Sequence, residues 1–73
     1  MKSVASSKLH TLLWAEGVSQ KELARRLGVA PSNIANWVAG LAMPQLRHAV
    51  ALEEETRGRI AIRDWLHPYE VKS

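Results

Sequence analysis

The sequence contains no cysteine among its 73 residues. A disulfide framework and cysteine-ligated zinc are therefore excluded, and a reducing, cytoplasmic setting fits best. Long apolar runs are also missing: Ala49 to Leu52 is typical, far short of the roughly 20 residues that cross a bilayer. No apolar stretch follows Lys2 before Leu9, so no secretory signal is expected. There is no glycine-rich phosphate loop, and no serine has a catalytic base or nucleophile elbow beside it. His10, His48 and His67 lie far apart without metal-ligand spacing. Internal repeats and low-complexity linkers are absent as well. These gaps set aside an enzyme, a metal site, a cofactor and a membrane protein.

What is present describes one small folded domain. The hydrophobic fraction of 47% is too high for a disordered chain. A chain of this size buries only about 60% of its unfolded surface, so the core is small. The formal charge of +3 is unevenly placed. Residues 1–47 carry Lys2, Lys8, Lys21, Arg25, Arg26 and Arg47 against Glu16 and Glu22, a balance of +4. Residues 48–73 carry four basic groups against five acidic ones, a balance of −1. A basic front section in a helical chain suggests a polyanion as partner.

Gly17, Gly28, Gly40, Pro44, Gly58 and Pro68 divide the chain into pieces of helical length. Residues 1–5 fit no pattern and are expected to fray. From Ser6 or Ser7, with Leu9, Leu12 and Leu13 at helical spacing, a first helix is expected to about Glu16. Ser3, Ser6 and Ser7 read as cap or frayed-end residues. Ser19 and Glu22 have the spacing of a capping box, in which the hydroxyl takes one amide and the carboxylate returns to another. The second helix then places Leu23, Ala24 and Leu27 on one face. Pro31 suits the first turn of a third helix, where its missing N–H is not needed. That helix turns Ile34, Trp37 and Val38 inward. A fourth helix is expected from about Gln45 to Glu55, with Leu46, Ala49 and Val50 as its buried stripe. Arg59 to Arg63 is compatible with an extended segment, and Asp64 to Leu66 with one helical turn under Trp65 as a lid. The expected architecture is all-α, with four to five helices over residues 6–68 and a flexible tail at 69–73.

The central feature is the pair of short helices at 20–39. Ala24 is small where two helices cross closely, and Gly28 suits a left-handed turn. Ile34 and Trp37 project back toward Leu23 and Leu27. That conjunction is a helix-turn-helix, which holds its second helix out for a DNA major groove. On these residues the sequence resembles the Cro and repressor-like helix-turn-helix family, closely over Gln20 to Gly40 and loosely from Ser6 to Pro68. Leu52, Glu53, Thr56, Gly58 and Ile60, followed by Trp65 and Pro68, look like the C-terminal signature of its Cro-like antitoxin subgroup. Ala61, Ile62 and Arg63 depart from the Thr-Arg pair common there, which implies a shifted last turn. The resemblance implies an operator-binding regulator, often dimeric. It places Gln20 on a phosphate and Pro31, Ser32, Asn33 and Asn36 at or near base edges; by charge, Lys21, Arg25 and Arg26 on the preceding helix and Arg47 are the further candidate phosphate contacts. Arg25 and Arg26 are equally readable as a solvated surface pair.

Direct readout favours Arg or Lys on guanine and Asn or Gln on adenine. The outward face of the third helix has no cation and only two amides, Asn33 and Asn36. This uncharged face and the overall length resemble small helix-turn-helix regulators of lytic phages of plant-pathogenic bacteria. Those proteins bind host RNA polymerase, inhibit initiation and permit antitermination. The resemblance implies a protein partner as well as possible contact with double-stranded DNA. Candidate partner-binding residues are Trp14, which leaves the Leu9/Leu13 stripe, and the acidic run Glu53, Glu54 and Glu55. For that run the alternative is a solvated helix end offset by Arg57 and Arg59. The function expected is a transcription regulator that acts by binding host RNA polymerase; the alternative is a dimeric DNA-binding repressor, and a lesser alternative is an antitoxin-like binder of a small protein.

Overall fold

The computed structural model describes residues 3–66. Four α-helices occupy most of that span: α1 (Val4–Glu16), α2 (Gln20–Leu27), α3 (Pro31–Ala39) and α4 (Leu46–Glu55). A 3-10 helix, Ile62–Leu66, follows them. The chain is all-α, as expected. The former expectation for His67, Pro68 and the tail at 69–73 lies outside the described residues.

Local chemistry explains most helix boundaries. Ser3 caps α1 by accepting the Ser6 amide at 3.1 Å, so the helix begins at Val4 rather than at Ser6 or Ser7. Residues 3–5, expected to fray, instead supply this cap and the fully buried Ala5. Ser6 is not a terminal residue either. Its hydroxyl is buried and donates to the Trp37 carbonyl of α3 at 2.5 Å. Ser19 caps α2 through the Glu22 amide at 3.0 Å. The returning half of the expected capping box is replaced, because the Glu22 carboxylate turns to Arg25 and Arg26.

Ala5, Leu9, Leu23, Ala24, Ile34, Trp37, Val38, Ala49, Leu52, Ile60 and Trp65 form one core. Within it Trp37 stands edge-on to Trp65 with ring centroids 6.4 Å apart. Leu12, Leu13, Val18, Leu27, Val29 and Ile62 pack around it. The α4 stripe differs from expectation. Ala49 and Leu52 are buried, whereas Leu46 and Val50 are exposed. Both pairs satisfy helical spacing, and α4 is rotated so that Leu52 and then Thr56 face inward.

The segment expected to be extended turns instead. Arg57 and Gly58 both have positive φ, 57° and 85°, and Gly58 donates its amide to the Glu53 carbonyl at 2.8 Å. The buried Thr56 hydroxyl donates to the Leu52 carbonyl at 2.8 Å and accepts the Ile60 amide at 3.2 Å. Ile60 is thereby driven into the core rather than along a strand. Asp64 then secures the 3-10 helix, its Oδ2 accepting the Ala61 amide at 2.9 Å and the Lys8 ammonium at 2.8 Å.

Candidate nucleic-acid interface

The site begins at the turn between α2 and α3. Gly28 adopts φ 72°, and the following amide, that of Val29, donates to the Ala24 carbonyl at 3.0 Å. This is a left-handed helix stop in which orphan carbonyls are satisfied. A Cβ at Gly28 would meet nothing within 4 Å, so backbone conformation, not crowding, calls for glycine. Three residues later Pro31 opens α3, with Ala30 as an N-cap that makes no side-chain bond.

Burial sorts α3 into two faces. Ile34, Trp37 and Val38 are in the core, while Pro31, Ser32, Asn33, Ala35, Asn36 and Ala39 are exposed. Ser32, Asn33 and Asn36 therefore stand together on the free side of the helix. Beside its first turn, Ser19, Lys21, Glu22, Ala24, Arg25, Val29 and Pro31 line a shallow cleft of ≈ 360 Å³. The fold thus brings Lys21 and Arg25 next to the start of the exposed α3 face. Gln20 lines a neighbouring depression with His10 and Trp14. Arg47 is exposed on the first turn of α4, beyond the 40–45 loop, and does not line the Lys21–Arg25 cleft.

The α2 cations are not equally free. Arg25 donates Nε to Glu22 Oε1 at 3.2 Å and Nη2 to Glu22 Oε2 at 2.5 Å. Arg26 donates Nε to the same Oε2 at 3.1 Å and reaches Glu55 with Nη1 at 3.4 Å. Hydrogen bonds from Arg25, then Arg26, hold the Glu22 carboxyl below its ordinary range. The Glu22 carboxylate in turn raises the Arg25 guanidinium. Among the described residues no carboxylate lies within ion-pair distance of Lys21 or Arg47.

The proposed protein-contact residues are dispersed. Trp14 is 82% exposed, unlike the buried Trp37 and Trp65. Glu54 is exposed, Glu53 half-buried, and Glu55 pairs with Arg26. Arg59, expected to offset the acidic run, instead binds Glu16 at 2.7 Å. Among the described residues Arg57 makes no ion pair with the run. The sequence reading missed this network. The i,i+3 and i,i+4 spacing of Glu22 from Arg25 and Arg26 was its available signal.

No helix of the described residues is long and apolar enough to cross a membrane. Comparison with curated proteins and with solved structures yields no match. A family model described as helix-turn-helix matches residues 12–61, which include all of α2, the turn and α3. By that match, and by α2 and α3 packed on the core through Leu23, Ala24, Ile34, Trp37 and Val38 with the outer face of α3 exposed, the chain belongs to the helix-turn-helix family of the Cro and C1 type.

Proposed function

We propose that this chain is a DNA-binding transcription regulator that sets α3 in a major groove. The observation that carries this reading is the exposed Ser32, Asn33 and Asn36 surface adjoining the Lys21–Arg25 cleft. Asn33 and Asn36 supply amides that can bridge adenine edges, and Ser32 supplies a smaller hydroxyl. Lys21 is the leading phosphate contact because no carboxylate pairs with it among the described residues. Gln20 and Arg25 contact phosphate from the same helix, and Arg47 from the start of α4. Phosphate contacts position the chain, whereas base contacts select sequence. With no cation on α3, sequence selection is modest and salt-sensitive. If two copies bind a palindrome, their α3 helices lie about 34 Å apart, one turn of duplex.

Selection from a random duplex library tests this reading. Enrichment of a common motif by the wild-type chain, lost with Asn33→Ala and Asn36→Ala, supports it. No retention of duplex DNA even at low salt contradicts it.

A second reading is favoured by one observation, the 82% exposure of Trp14. Large exposed aromatics are enriched as anchors in protein interfaces. In this reading Trp14, with Glu53, Glu54 and Glu55 as a separate acidic contact, docks on a protein. The resemblance to phage regulators makes RNA polymerase the candidate, with inhibition of initiation and antitermination as consequences. Purified bacterial RNA polymerase retained by the immobilised wild-type chain, but not by Trp14→Ala, supports it. Equal retention by both, or none by either, contradicts it.

A further inference from the structure

We infer that Glu22 restrains the phosphate contacts of α2, limiting how tightly the chain holds DNA of any sequence. This rests on the DNA-binding reading and concerns the regulation of that site.

One carboxylate engages two guanidinium groups. Arg25 offers Glu22 its Nε and Nη2, spanning both carboxylate oxygens. Arg26 adds its Nε to Oε2 and directs Nη1 toward Glu55. Arg26 is therefore held between carboxylates on two helices. Arg25 is 73% exposed and lines the cleft beside Pro31, where the exposed face of α3 begins.

The geometry leaves Arg25 available but compensated. A guanidinium has five N–H donors, and those not directed at Glu22 can still meet a phosphate. That phosphate must approach a carboxylate of its own sign, or displace it from Arg25. A cation already paired with a carboxylate also releases less counterion from DNA than a free one. Of the three cations on α2, Lys21 alone escapes the Glu22–Glu55 network among the described residues. Glu22 can be altered without losing the helix start, because Ser19 receives the backbone amide of residue 22 rather than its side chain.

The test is fluorescence anisotropy with a random-sequence duplex across a salt series, using the wild-type chain, Glu22→Gln and Arg25→Gln. The Glu22→Gln/Arg25→Gln double variant completes a mutant cycle. Glu22→Gln should bind roughly three- to tenfold more tightly at low salt, with log K against log salt steeper by about one unit. Adding Arg25→Gln should remove most of that gain. Glu22→Ala provides a second removal of the carboxylate, with circular dichroism checking the fold of each variant. Duplex binding by the wild type with unchanged affinity and slope in both Glu22 variants would overturn the inference while leaving the DNA reading intact. A gain that persists without Arg25 would also overturn it. Failure of every chain to bind duplex would overturn the DNA reading and the restraint together.

Discussion

The Ser6 hydroxyl donates to the Trp37 carbonyl at 2.5 Å, joining the start of α1 to the last turn of α3 inside the core. The same carbonyl accepts the Gly40 amide at 3.2 Å at the end of α3. Ser6 therefore helps fix α3 against α1 from its buried side, leaving the opposite face free. Removing the hydroxyl deletes a buried bond. Ser6→Ala should cost about 1–2 kcal/mol. A loss of about 1 kcal/mol lowers the melting temperature of a domain this small by roughly 4–8 °C. Thermal unfolding monitored by circular dichroism checks this, and an unchanged midpoint contradicts it.

Asp64 gives stability a defined acid dependence. Burial pushes its carboxyl pKa upward, but hydrogen bonds from the Lys8 ammonium and Ala61 amide outweigh that effect and hold it below 3.8. Its contribution is therefore complete above the unfolded value near 3.8 and is lost as pH falls through the lower folded value. Asp64→Asn should cost about 1 kcal/mol at neutral pH, allowing for the solvent exposure of Lys8. The gap between wild-type and variant urea midpoints should narrow below pH 3.8. A gap constant down to pH 2 would rule out the ionised pair as its source.

Gly28 tests the turn separately from the surfaces it joins. Its φ of 72° disfavours any side chain, although a Cβ would have open space. Gly28→Ala should destabilise by about 1–2 kcal/mol. Near-native α-helical circular dichroism should remain in the folded fraction. Chemical denaturation measures the effect, and equal stability would refute the conformational role assigned to glycine.

The two interface helices should separate affinity from selectivity. Lys21→Gln removes a phosphate contact and should weaken specific and random duplexes alike, lowering the salt slope by about one unit. Asn33→Ala should cost about 1–3 kcal/mol on its selected base pair and much less on random DNA. Competitive anisotropy with both duplexes distinguishes these effects. Equal losses from both variants on both duplexes would contradict the division between positioning and reading.

Punctuation made much of the architecture legible before side-chain packing was known. Ser19, Gly28, Pro31 and Gly40 mark starts and stops through local chemistry, and those boundaries stand. Where two solutions shared a period, sequence alone could not choose. Leu46/Val50 and Ala49/Leu52 are both helical pairs, and packing against the rest of the core selects the second. Ser3, Ser6 and Ser7 could each cap α1; burial of Ser6 beneath Trp37 assigns the cap to Ser3. Arg59 to Arg63 is compatible in sequence with an extended run, but the Thr56 hydroxyl and consecutive positive φ values turn the chain inward. The exposed α3 residues were also legible from inward-facing Ile34, Trp37 and Val38. The pairing of Arg26 with Glu55 was not, because those residues meet only after α2 and α4 are brought together.

Amide chemical-shift mapping with a short duplex at low salt tests the DNA interface most directly. The largest changes should fall at Ser32, Asn33 and Asn36, with a second group at Gln20, Lys21 and Arg25, and all should fade as salt is raised. Glu53 to Arg59 should change little. No perturbation at low salt, or changes confined to Trp14 and the acidic run, would contradict the assignment of α2 and α3 as the DNA-contacting surface.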